Sequence, residues 1–254
     1  MDNGANMKPF NLEGHTALVT GSSRGIGKAI ALALGKAGAK LYFHGVRESE
    51  AMRQTLNEAS QQGINHEVIY ADISHNDGVE ALIKGAKNVD IAFLNASIQY
   101  YGHIEDFNDG EFEQMVNTNI RSSFKLVKAF ASEMAKRNWG RIVIIGSVNQ
   151  AHPAPRLAIY ASTKAACRAL ALTAAKEYAA CGVTVNTISP GVIETDRNMK
   201  VLSNQEFRDK LKSQIPIGRF GTADDCTGVA LLLASDAGSY ITGIDITVDG
   251  GLTL

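Results

Sequence analysis

Three side chains with complementary proton chemistry lie within one short segment of the chain. Residues 142–145, which read Ile-Val-Ile-Ile, predict a buried strand, and Ser147 follows closely after it. Tyr160 and Lys164 lie near the start of an Ala-rich segment, and their spacing of four residues places both side chains on one face of a helix. The sequence therefore predicts that a hydroxyl, a phenol and an ammonium group meet at the carboxyl end of a buried strand.

These three residue types suit proton transfer at a substrate oxygen. A free tyrosine has a pKa of about 10 and is a poor acid/base catalyst at neutral pH. A lysine ammonium one helical turn away favours the phenolate and lowers that pKa. A serine hydroxyl can hydrogen-bond the substrate oxygen and hold it against the phenol. We therefore expect Tyr160 to give a proton to a carbonyl oxygen, or to take one from an alcohol, while a hydride moves at carbon.

A glycine-rich turn near the N-terminus is the candidate site for the carrier of that hydride. Gly21, Gly25 and Gly27 follow the first predicted strand and open a predicted helix. Gly21 allows a tight turn, Gly25 lets the backbone approach a pyrophosphate, and Gly27 permits close packing of helix on strand. The amides at the helix start then face the phosphates. Glycines also serve ordinary turns, but the position between a strand and a helix favours a dinucleotide site.

Apolar, β-rich runs alternate with helix-like segments along the whole chain. The predicted strands cover residues 16–20, 40–44, 67–70, 90–95, 141–146, 183–189 and 244–248. The predicted helices cover residues 25–37, 48–62, 76–87, 109–137, 159–181 and 222–235. Strands that are apolar on both faces and separated by crossover helices predict a parallel sheet covered on both sides. Because no Ser/Pro-rich linker interrupts the pattern, it predicts one doubly wound α/β domain over residues 1–254, with ligands at the carboxyl ends of the strands.

The composition excludes several classes of function. The chain has 254 residues and a net charge of −1, so it presents no positive field to nucleic acid or to an anionic membrane surface. The three cysteines are far apart and fit no metal spacing. Five histidines form no metal site, and we expect most of them to be surface residues: His15, His44, His66, His75 and His103. The N-terminal residues lack a signal peptide, and no apolar run reaches about 18 residues, so we expect a cytoplasmic protein without a membrane span.

An ordered set of short motifs resembles the short-chain dehydrogenase/reductase family. The set consists of Thr20-Gly-x-x-x-Gly-Ile-Gly27, Asn95-Ala96, Asn119, Ser147, Tyr160-x-x-x-Lys164 and Pro190-Gly191. It spans nearly the whole chain, and only one of the seven tyrosines has a lysine four residues later. The resemblance implies a Rossmann fold with a seven-stranded parallel sheet, hydride transfer with a nicotinamide cofactor, and a homotetramer built on the two longest predicted helices.

The resemblance also implies a catalytic role for four residues. Tyr160 is the expected acid/base, Ser147 orients the substrate oxygen, and Lys164 holds the nicotinamide ribose. Asn119 corresponds to the family asparagine that anchors a water for proton relay to Lys164. Asn117 is the competing candidate for that position, although the residues that follow favour Asn119.

A larger set of positions corresponds to the cofactor-binding residues of the family. These are Gly21, Ser23, Arg24, Gly25, Ile26, Gly27, Arg47, Asp72, Ile73, Asn95, Ala96, Tyr160, Lys164, Pro190, Gly191, Ile193 and Thr195. NAD-binding members place Asp or Glu at the end of the second strand, where this chain reads His44-Gly45-Val46-Arg47. The missing acid, together with Arg24 and Arg47, favours NADP, because a guanidinium suits a phosphate. The alternative is that both arginines are solvated surface cations.

The residues that border the substrate are less sharply defined. The candidates for lining the pocket, against the alternative of an exposed loop, are Tyr100, Tyr101 and four residues between Ser147 and the helix of Tyr160, namely Asn149, Gln150, His152 and Arg156. Residues 196–216 resemble the lid that covers substrate in the family, and residues 1–13 form an N-terminal extension.

The substrate class stays open between several carbonyl compounds. Two segments look like 3-oxoacyl-(acyl-carrier-protein) reductases, whereas Asn138 and Cys181 stand where those enzymes carry basic residues, with Arg137 adjacent. A free small or medium carbonyl compound is therefore favoured over a carrier-bound 3-oxoacyl thioester, and a sugar or polyol is a further alternative. A cofactor-binding regulator without catalysis is the alternative from another class of protein.

Overall fold

Seven parallel strands form a single sheet in the computed structural model, which describes residues 9–196, 198 and 203–254. The strands are β1 (Thr16–Val19), β2 (Lys40–Gly45), β3 (His66–Tyr70), β4 (Ile91–Leu94), β5 (Gly140–Ile145), β6 (Val183–Pro190) and β7 (Asp245–Val248). Their order across the sheet is β3-β2-β1-β4-β5-β6-β7. The predicted seven-stranded parallel sheet of a Rossmann fold is confirmed.

Helices connect the strands and cover the sheet. They are α1 (Gly25–Lys36), α2 (Glu50–Gln61), α3 (Asn76–Gly85), α4 (Asp109–Met115), α5 (Ser122–Lys136), α6 (Ala158–Tyr178), α7 (Gln205–Ser213) and α8 (Thr227–Ala234). A π-helical stretch, Val116–Arg121, joins α4 to α5, so the predicted helix over 109–137 is continuous but not α-helical throughout. The predicted helix over 159–181 ends in a 3₁₀ turn, Ala179–Cys181, after which Gly182 takes a φ of 72°.

Both faces of the sheet are apolar, and this explains the two helical layers. Every residue of β5 and β6 is buried, as expected for central strands of a parallel sheet. One core cluster joins the sheet to α3, α5 and α6, through residues such as Leu82 and Leu126. The other joins the opposite face to α1, α2 and α8, through residues such as Leu34 and Leu233. Leu12, in the predicted N-terminal extension, is fully buried in this second cluster.

The strand order reverses direction between β1 and β4, which are neighbours in the sheet. The connections leaving the carboxyl ends of these two strands run to opposite sides, so they leave a crevice between them. The predicted glycine-rich turn follows β1 and Asn95 follows β4, so both border this crevice. No helix in the described part of the chain is long and apolar enough to span a bilayer.

Candidate active site

A cavity of about 1820 Å³ lies along the carboxyl ends of the strands. Its walls come from the glycine-rich turn, the ends of β2 to β4, the loop after β5, the start of α6 and the segment after β6. Ser147, Tyr160 and Lys164 all line it, as the sequence predicted. Within the described residues, no cluster of three or more His, Cys, Asp or Glu side chains is arranged to hold a metal ion.

Tyr160 and Lys164 lie on successive turns of α6 and are almost fully buried, with exposed fractions of 6% and 4%. The Lys164 Nζ atom lies 5.6 Å from the centroid of the Tyr160 ring. It donates a hydrogen bond of 2.7 Å to the carbonyl oxygen of Ile145, the last residue of β5. This bond fixes the ammonium at the end of the strand and uses one of its three donors, so the others are available to a ligand in the cavity.

Ser147 is held by its neighbour Asn149. The Ser147 Oγ atom accepts hydrogen bonds from the main-chain N–H and the side-chain amide of Asn149, each at 3.2 Å. The Asn149 Oδ1 atom in turn accepts from the N–H of Ala154 at 2.9 Å. Since two donors already occupy the acceptor side of the Ser147 hydroxyl, its own proton is available for a substrate oxygen.

The loop that carries Ser147 is also fixed to the far edge of the sheet, which sequence reasoning did not anticipate. The Gln150 amide donates to Ser189 Oγ at 2.7 Å and to Asp245 Oδ2 at 2.5 Å. Ser189 Oγ donates to the other carboxylate oxygen of Asp245 at 2.6 Å. No periodicity marks these three residues, because Ser189 and Asp245 meet through the pairing of β6 with β7, and Gln150 reaches them from the loop after β5.

Asn119 lies behind the cavity wall and does not line it. Its amide nitrogen donates to the Ile98 carbonyl and to Thr163 Oγ1, both at 3.0 Å, and its Oδ1 accepts from the Ile98 N–H at 2.9 Å. Thr163 Oγ1 itself donates to the Tyr160 carbonyl at 2.7 Å. From the π-helical stretch, Asn119 therefore braces the segment after β4 against the turn of α6 that carries Tyr160 and Thr163. Such stretches are frequent at functional sites.

The glycine-rich turn has the conformation that the sequence predicted. Gly21 and Gly25 adopt φ values of 64° and 57°, in the region that side chains disfavour. A Cβ atom at Gly27 would lie 2.4 Å from the Gly21 carbonyl oxygen and 2.5 Å from Asn95 Nδ2. Asn95 clamps the turn, since its amide donates to the carbonyl oxygens of Thr20 and Gly21 at 2.9 and 3.0 Å. The turn is thus fixed at the carboxyl end of β1 with no space left beneath it.

His44 is buried under the glycine-rich turn, with an exposed fraction of 1%, so it is an exception to the expectation that most histidines are surface residues. Its Nδ1 atom accepts from the Gly21 N–H at 3.1 Å, and its Nε2 atom lies 3.0 Å from the Ala71 carbonyl oxygen. These partners require a neutral ring with the proton on Nε2. Burial lowers the pKa of His44 to about 4, although the bond to Ala71 opposes this shift. Its place at the end of an apolar run is the signal that pointed to burial.

Most positions that the family resemblance assigns to a cofactor do line the cavity. The residues placed there are Gly21, Ser23, Arg24, Gly25, Ile26, Gly27, Asp72, Ile73, Asn95, Ala96, Tyr160, Lys164, Pro190, Gly191, Ile193 and Thr195. Arg47 is exposed and outside the lining, while its neighbour Val46 is part of it. Arg24 pairs with Asp196 across the cavity mouth at 3.3 Å, and both side chains are more than half exposed.

Four of the six substrate candidates line the cavity, namely Tyr101, Asn149, His152 and Arg156. Gln150 does not, and its amide bonds Ser189 and Asp245 instead. Tyr100 does not, because its ring packs in a small apolar cluster with Met115 and its hydroxyl bonds the Gln114 side chain. The adjacent residue, Tyr101, takes the place in the lining. Adjacent residues in an extended segment point to opposite sides, and the sequence alone does not show which of the two faces inward.

Part of the predicted lid, residues 196–216, contributes to the cavity. Asn204, Phe207 and Leu211, at and within α7, line it opposite the Ser147 loop. Phe207 is 44% exposed, so an apolar surface faces the opening of the cavity. Residues 197 and 199–202 of this segment, like residues 1–8 of the N-terminal extension, lie outside the described residues.

Comparison with known proteins places the chain in a family. It matches the family model described as enoyl-(acyl carrier protein) reductase over residues 21–253. A 2-dehydro-3-deoxy-D-gluconate 5-dehydrogenase from Pseudoalteromonas atlantica is 36% identical over 251 residues, which cover 96% of this chain and 98% of that protein. A 3-oxoacyl-(acyl-carrier-protein) reductase from Vibrio cholerae is 37% identical over 247 residues, which cover 96% and 99%.

Solved structures agree with these matches. A 3-oxoacyl-(acyl-carrier-protein) reductase from Agrobacterium tumefaciens, crystallised with NADP, has a TM-score of 0.93 and 35% identity, covering 98% of this chain and 99% of that one. A gluconate 5-dehydrogenase from Burkholderia cenocepacia, in complex with NADP and tartrate, has a TM-score of 0.92 and 32% identity, covering 98% of each chain. With these matches along nearly its full length and the motif set of its cavity, this chain belongs to the short-chain dehydrogenase/reductase family of oxidoreductases.

Proposed function

We propose that this chain is an NADP(H)-dependent oxidoreductase that interconverts a ketone and a secondary alcohol, with Tyr160 as the acid/base. The observation that carries the proposal is the meeting of Tyr160, Lys164 and Ser147 on one wall of a cavity that also reaches the glycine-rich turn. NADPH, when bound, supplies the hydride for the carbonyl carbon. The proton, its alignment and the surrounding charge come from the protein.

Each of these residues has one task in the proposed reaction. Tyr160 gives its phenolic proton to the carbonyl oxygen during reduction and takes a proton from the alcohol during oxidation. Ser147 donates a hydrogen bond to the same oxygen and keeps its proton, because Asn149 already occupies its acceptor side. Lys164 supplies a positive charge in a buried site, where such a charge acts strongly on developing negative charge.

The protein residues fit a dinucleotide at the other end of the cavity. Because Gly27 has no side chain, the turn at Gly21 packs closely against the first turn of α1. Arg24 is the N-cap residue of this helix, and its side chain makes no hydrogen bond to the first-turn amides. Those amides would hold the pyrophosphate. Asp72 and Ile73 would flank the adenine, and the loop from Pro190 to Thr195 would close over the nicotinamide.

Charge at the end of β2 supports NADP over NAD. Gly45 ends β2 and Val46 follows it, so no carboxylate lines the cavity at this strand end to repel a 2′-phosphate, and Arg24 lines the cavity nearby. The Arg24–Asp196 pair is solvent-exposed, so it contributes about 0–1 kcal/mol and is readily exchanged for a phosphate. Two similar structures contain NADP, which agrees with this assignment.

The favoured substrate is a free small or medium carbonyl compound, and a 3-oxoacyl thioester is the second candidate. Arg137 is the basic residue nearest to the positions that acyl-carrier-protein reductases use. Its guanidinium is committed to Asp90 Oδ1 at 3.0 Å and to the Val89 carbonyl at 2.7 Å, at the opposite end of the sheet from the cavity. This engagement disfavours a carrier protein, whereas the similarity to reductases of that kind keeps the thioester in the test.

Self-association as a homotetramer and a cytoplasmic location are further parts of the proposal. Phe112 on α4 and Phe124 on α5 are each about half exposed, with fractions of 50% and 52%. Such apolar side chains on the outer helices suit a subunit interface. Light scattering of the purified protein tests the oligomer, with a mass about four times that of one chain as the expected result.

Initial rates with a panel of ketones, sugar acids, polyols and acyl thioesters test the proposed activity, with NADPH and NADH compared side by side. We expect oxidation of NADPH with one substrate class and a weaker rate with NADH. Tight NADPH binding with no turnover of any substrate would favour a cofactor-binding regulator without catalysis. A preference for NADH would contradict the roles given to Arg24 and to the missing acid.

A further inference from the structure

Arg156 has a backbone conformation that ordinary side chains avoid. Its φ is 67°, and within the described chain the other non-glycine residues with positive φ are Asn88 and Asn138. Asparagine visits this left-handed region readily, because its short amide can bond the local backbone. Arginine has no such compensation, so the surrounding structure must impose the conformation.

Contacts on both sides of Arg156 impose it. The Arg156 carbonyl oxygen accepts a hydrogen bond from the Gly102 N–H at 3.1 Å, which fixes the loop to the segment after β4. The next residue, Leu157, precedes α6 and is buried in the cluster of Met115 and Tyr160. The turn that carries Arg156 is therefore clamped directly before the catalytic helix.

Arg156 is an exposed residue of the cavity lining, and its guanidinium differs from the other cations there. Among the described residues it makes no side-chain hydrogen bond or ion pair, whereas the other permanent cations of the lining are engaged, Arg24 with Asp196 and Lys164 with the Ile145 carbonyl. An unpaired guanidinium at a binding cavity is a ready partner for an anion, and its planar fork of donors matches a carboxylate.

No acidic side chain of the described lining pairs with Arg156, so its guanidinium is available to an anion. The acidic residues of the described lining are Asp72 and Asp196. Asp72 follows β3 on the cofactor side, where its carboxylate accepts from Ser74, and Asp196 pairs with Arg24. The Ser147–Tyr160 loop thus carries one permanent positive charge, Arg156, and no acid, and His152 on the same loop adds a polar ring to the lining.

We propose that Arg156 is a specificity-determining residue whose strained turn presents the guanidinium to a carboxylate group of the carbonyl substrate. The inference rests on the proposed function and narrows its substrate to keto acids and hydroxy acids. A neutral ketone or polyol of the same length leaves the guanidinium without its partner and binds more weakly.

Binding of gluconate and of glucitol to the NADP-saturated enzyme tests this inference by calorimetry. Both probes are six-carbon polyols, and they differ in one end group, a carboxylate against a neutral alcohol. We expect gluconate to bind about 10-fold more tightly or better, as one charge-assisted bond implies. In Arg156→Gln this ratio falls to about 1, and in Arg156→Lys it falls only in part, since lysine keeps the charge and loses the fork.

A glycine variant of Arg156 separates the effect of the guanidinium on substrate binding from the effect of the strained backbone on stability. Arg156→Gly removes the guanidinium and relieves the backbone, so it abolishes the gluconate preference while the Tm rises by about 2 °C. Asn138→Gly is the matched control, because Asn138 has a φ of 54° at the other end of the sheet, and its substitution leaves the preference unchanged. Equal binding of the two probes by the wild type, no binding of gluconate, or a preference retained in Arg156→Gln would each overturn the inference.

Failure of the inference and failure of the proposed function are distinguishable. The binding ratio does not require proton transfer, so Tyr160→Phe retains it. Turnover that survives in Tyr160→Phe would contradict the proposed acid/base and leave the Arg156 result intact. Turnover of a keto acid that does not change in Arg156→Gln would contradict the role of Arg156 and leave Tyr160 as the acid/base.

Discussion

Asn149 donates its main-chain and its side-chain N–H groups to one atom, Ser147 Oγ, at 3.2 Å each. Ser147 thereby becomes a hydrogen-bond donor toward the cavity, with its oxygen fixed at the end of β5. The two residues act as one unit, in which Asn149 orients the hydroxyl that we propose as the partner of the substrate oxygen.

Truncation of Asn149 tests this relationship. In Asn149→Ala the main-chain donor remains and the amide donor is lost, so we expect kcat to fall about 3- to 10-fold, the effect of one ordinary hydrogen bond. KM changes little, because the hydroxyl itself is still present. Ser147→Ala provides the comparison and should lower kcat much further. An unchanged kcat in Asn149→Ala would show that the main-chain bond alone orients Ser147.

Arg24 and Arg47 are both candidates for binding the 2′-phosphate of NADP, but only Arg24 lines the cavity. We expect Arg24→Gln to lower the preference for NADPH over NADH by about 10-fold, through loss of a charge-assisted bond to the 2′-phosphate. Arg47→Gln is the matched control and should leave the preference unchanged. The ratio of kcat/KM for the two cofactors is the measurement, and the reverse pattern would place the phosphate contact at Arg47.

The buried ring of His44 makes stability depend on pH. Its pKa falls from 6.5 to about 4 in the folded protein, so the unfolded chain binds more protons between these values. The stabilisation is complete above pH 6.5 and is lost as the pH falls toward 4. Between pH 7.5 and 4.5 we expect His44 to account for a loss of about 2 kcal/mol in the free energy of unfolding.

Urea unfolding of the wild type and of His44→Asn at both pH values measures this contribution. Asparagine keeps a hydrogen-bonding side chain but does not titrate, while all other ionisable groups stay the same. The wild type should therefore lose more stability on acidification than the variant. Equal losses would mean that the ring does not remain neutral beneath the Gly21 turn.

Two helical glycines should respond to alanine with opposite signs. In Gly27→Ala the new Cβ would lie 2.4 Å from the Gly21 carbonyl oxygen, so we expect a loss of about 1–3 kcal/mol and weaker NADPH binding. Gly228, on α8, has no atom within 4 Å of such a Cβ, and Gly228→Ala should stabilise the protein by up to about 1 kcal/mol. Thermal unfolding measures both, and a stabilising Gly27→Ala would contradict the close packing of the turn.

The alternation of strands and helices was predictable because burial on both faces makes β4 wholly apolar and gives β5 the apolar run of residues 142–145, and the helices between strands keep their own period. The π-helical stretch around Asn119 was not predictable, because one extra residue in a single helical turn does not show in the spacing of apolar residues. The position of Asn119 behind the cavity wall therefore emerged only from the structure.

Local motifs predicted which elements reach the candidate site, but not which side chains face it. Tyr160 and Lys164 share a face by helical geometry alone, and both line the cavity. Arg47 and Tyr100 lie within one residue of the lining, yet point elsewhere. The direction in which a side chain points from a turn depends on contacts between distant segments, such as the hydrogen bond from the Gly102 N–H to the Arg156 carbonyl oxygen. Sequence patterns do not reveal such contacts.

Single replacement of the Tyr160 hydroxyl tests the central claim most directly. Tyr160→Phe keeps the ring in its buried place and removes the proton, so we expect kcat to fall by about 100-fold or more, while NADPH binding, followed by fluorescence titration, changes little. Turnover close to that of the wild type, with cofactor binding intact, would contradict the account, because the proton would then come from another group.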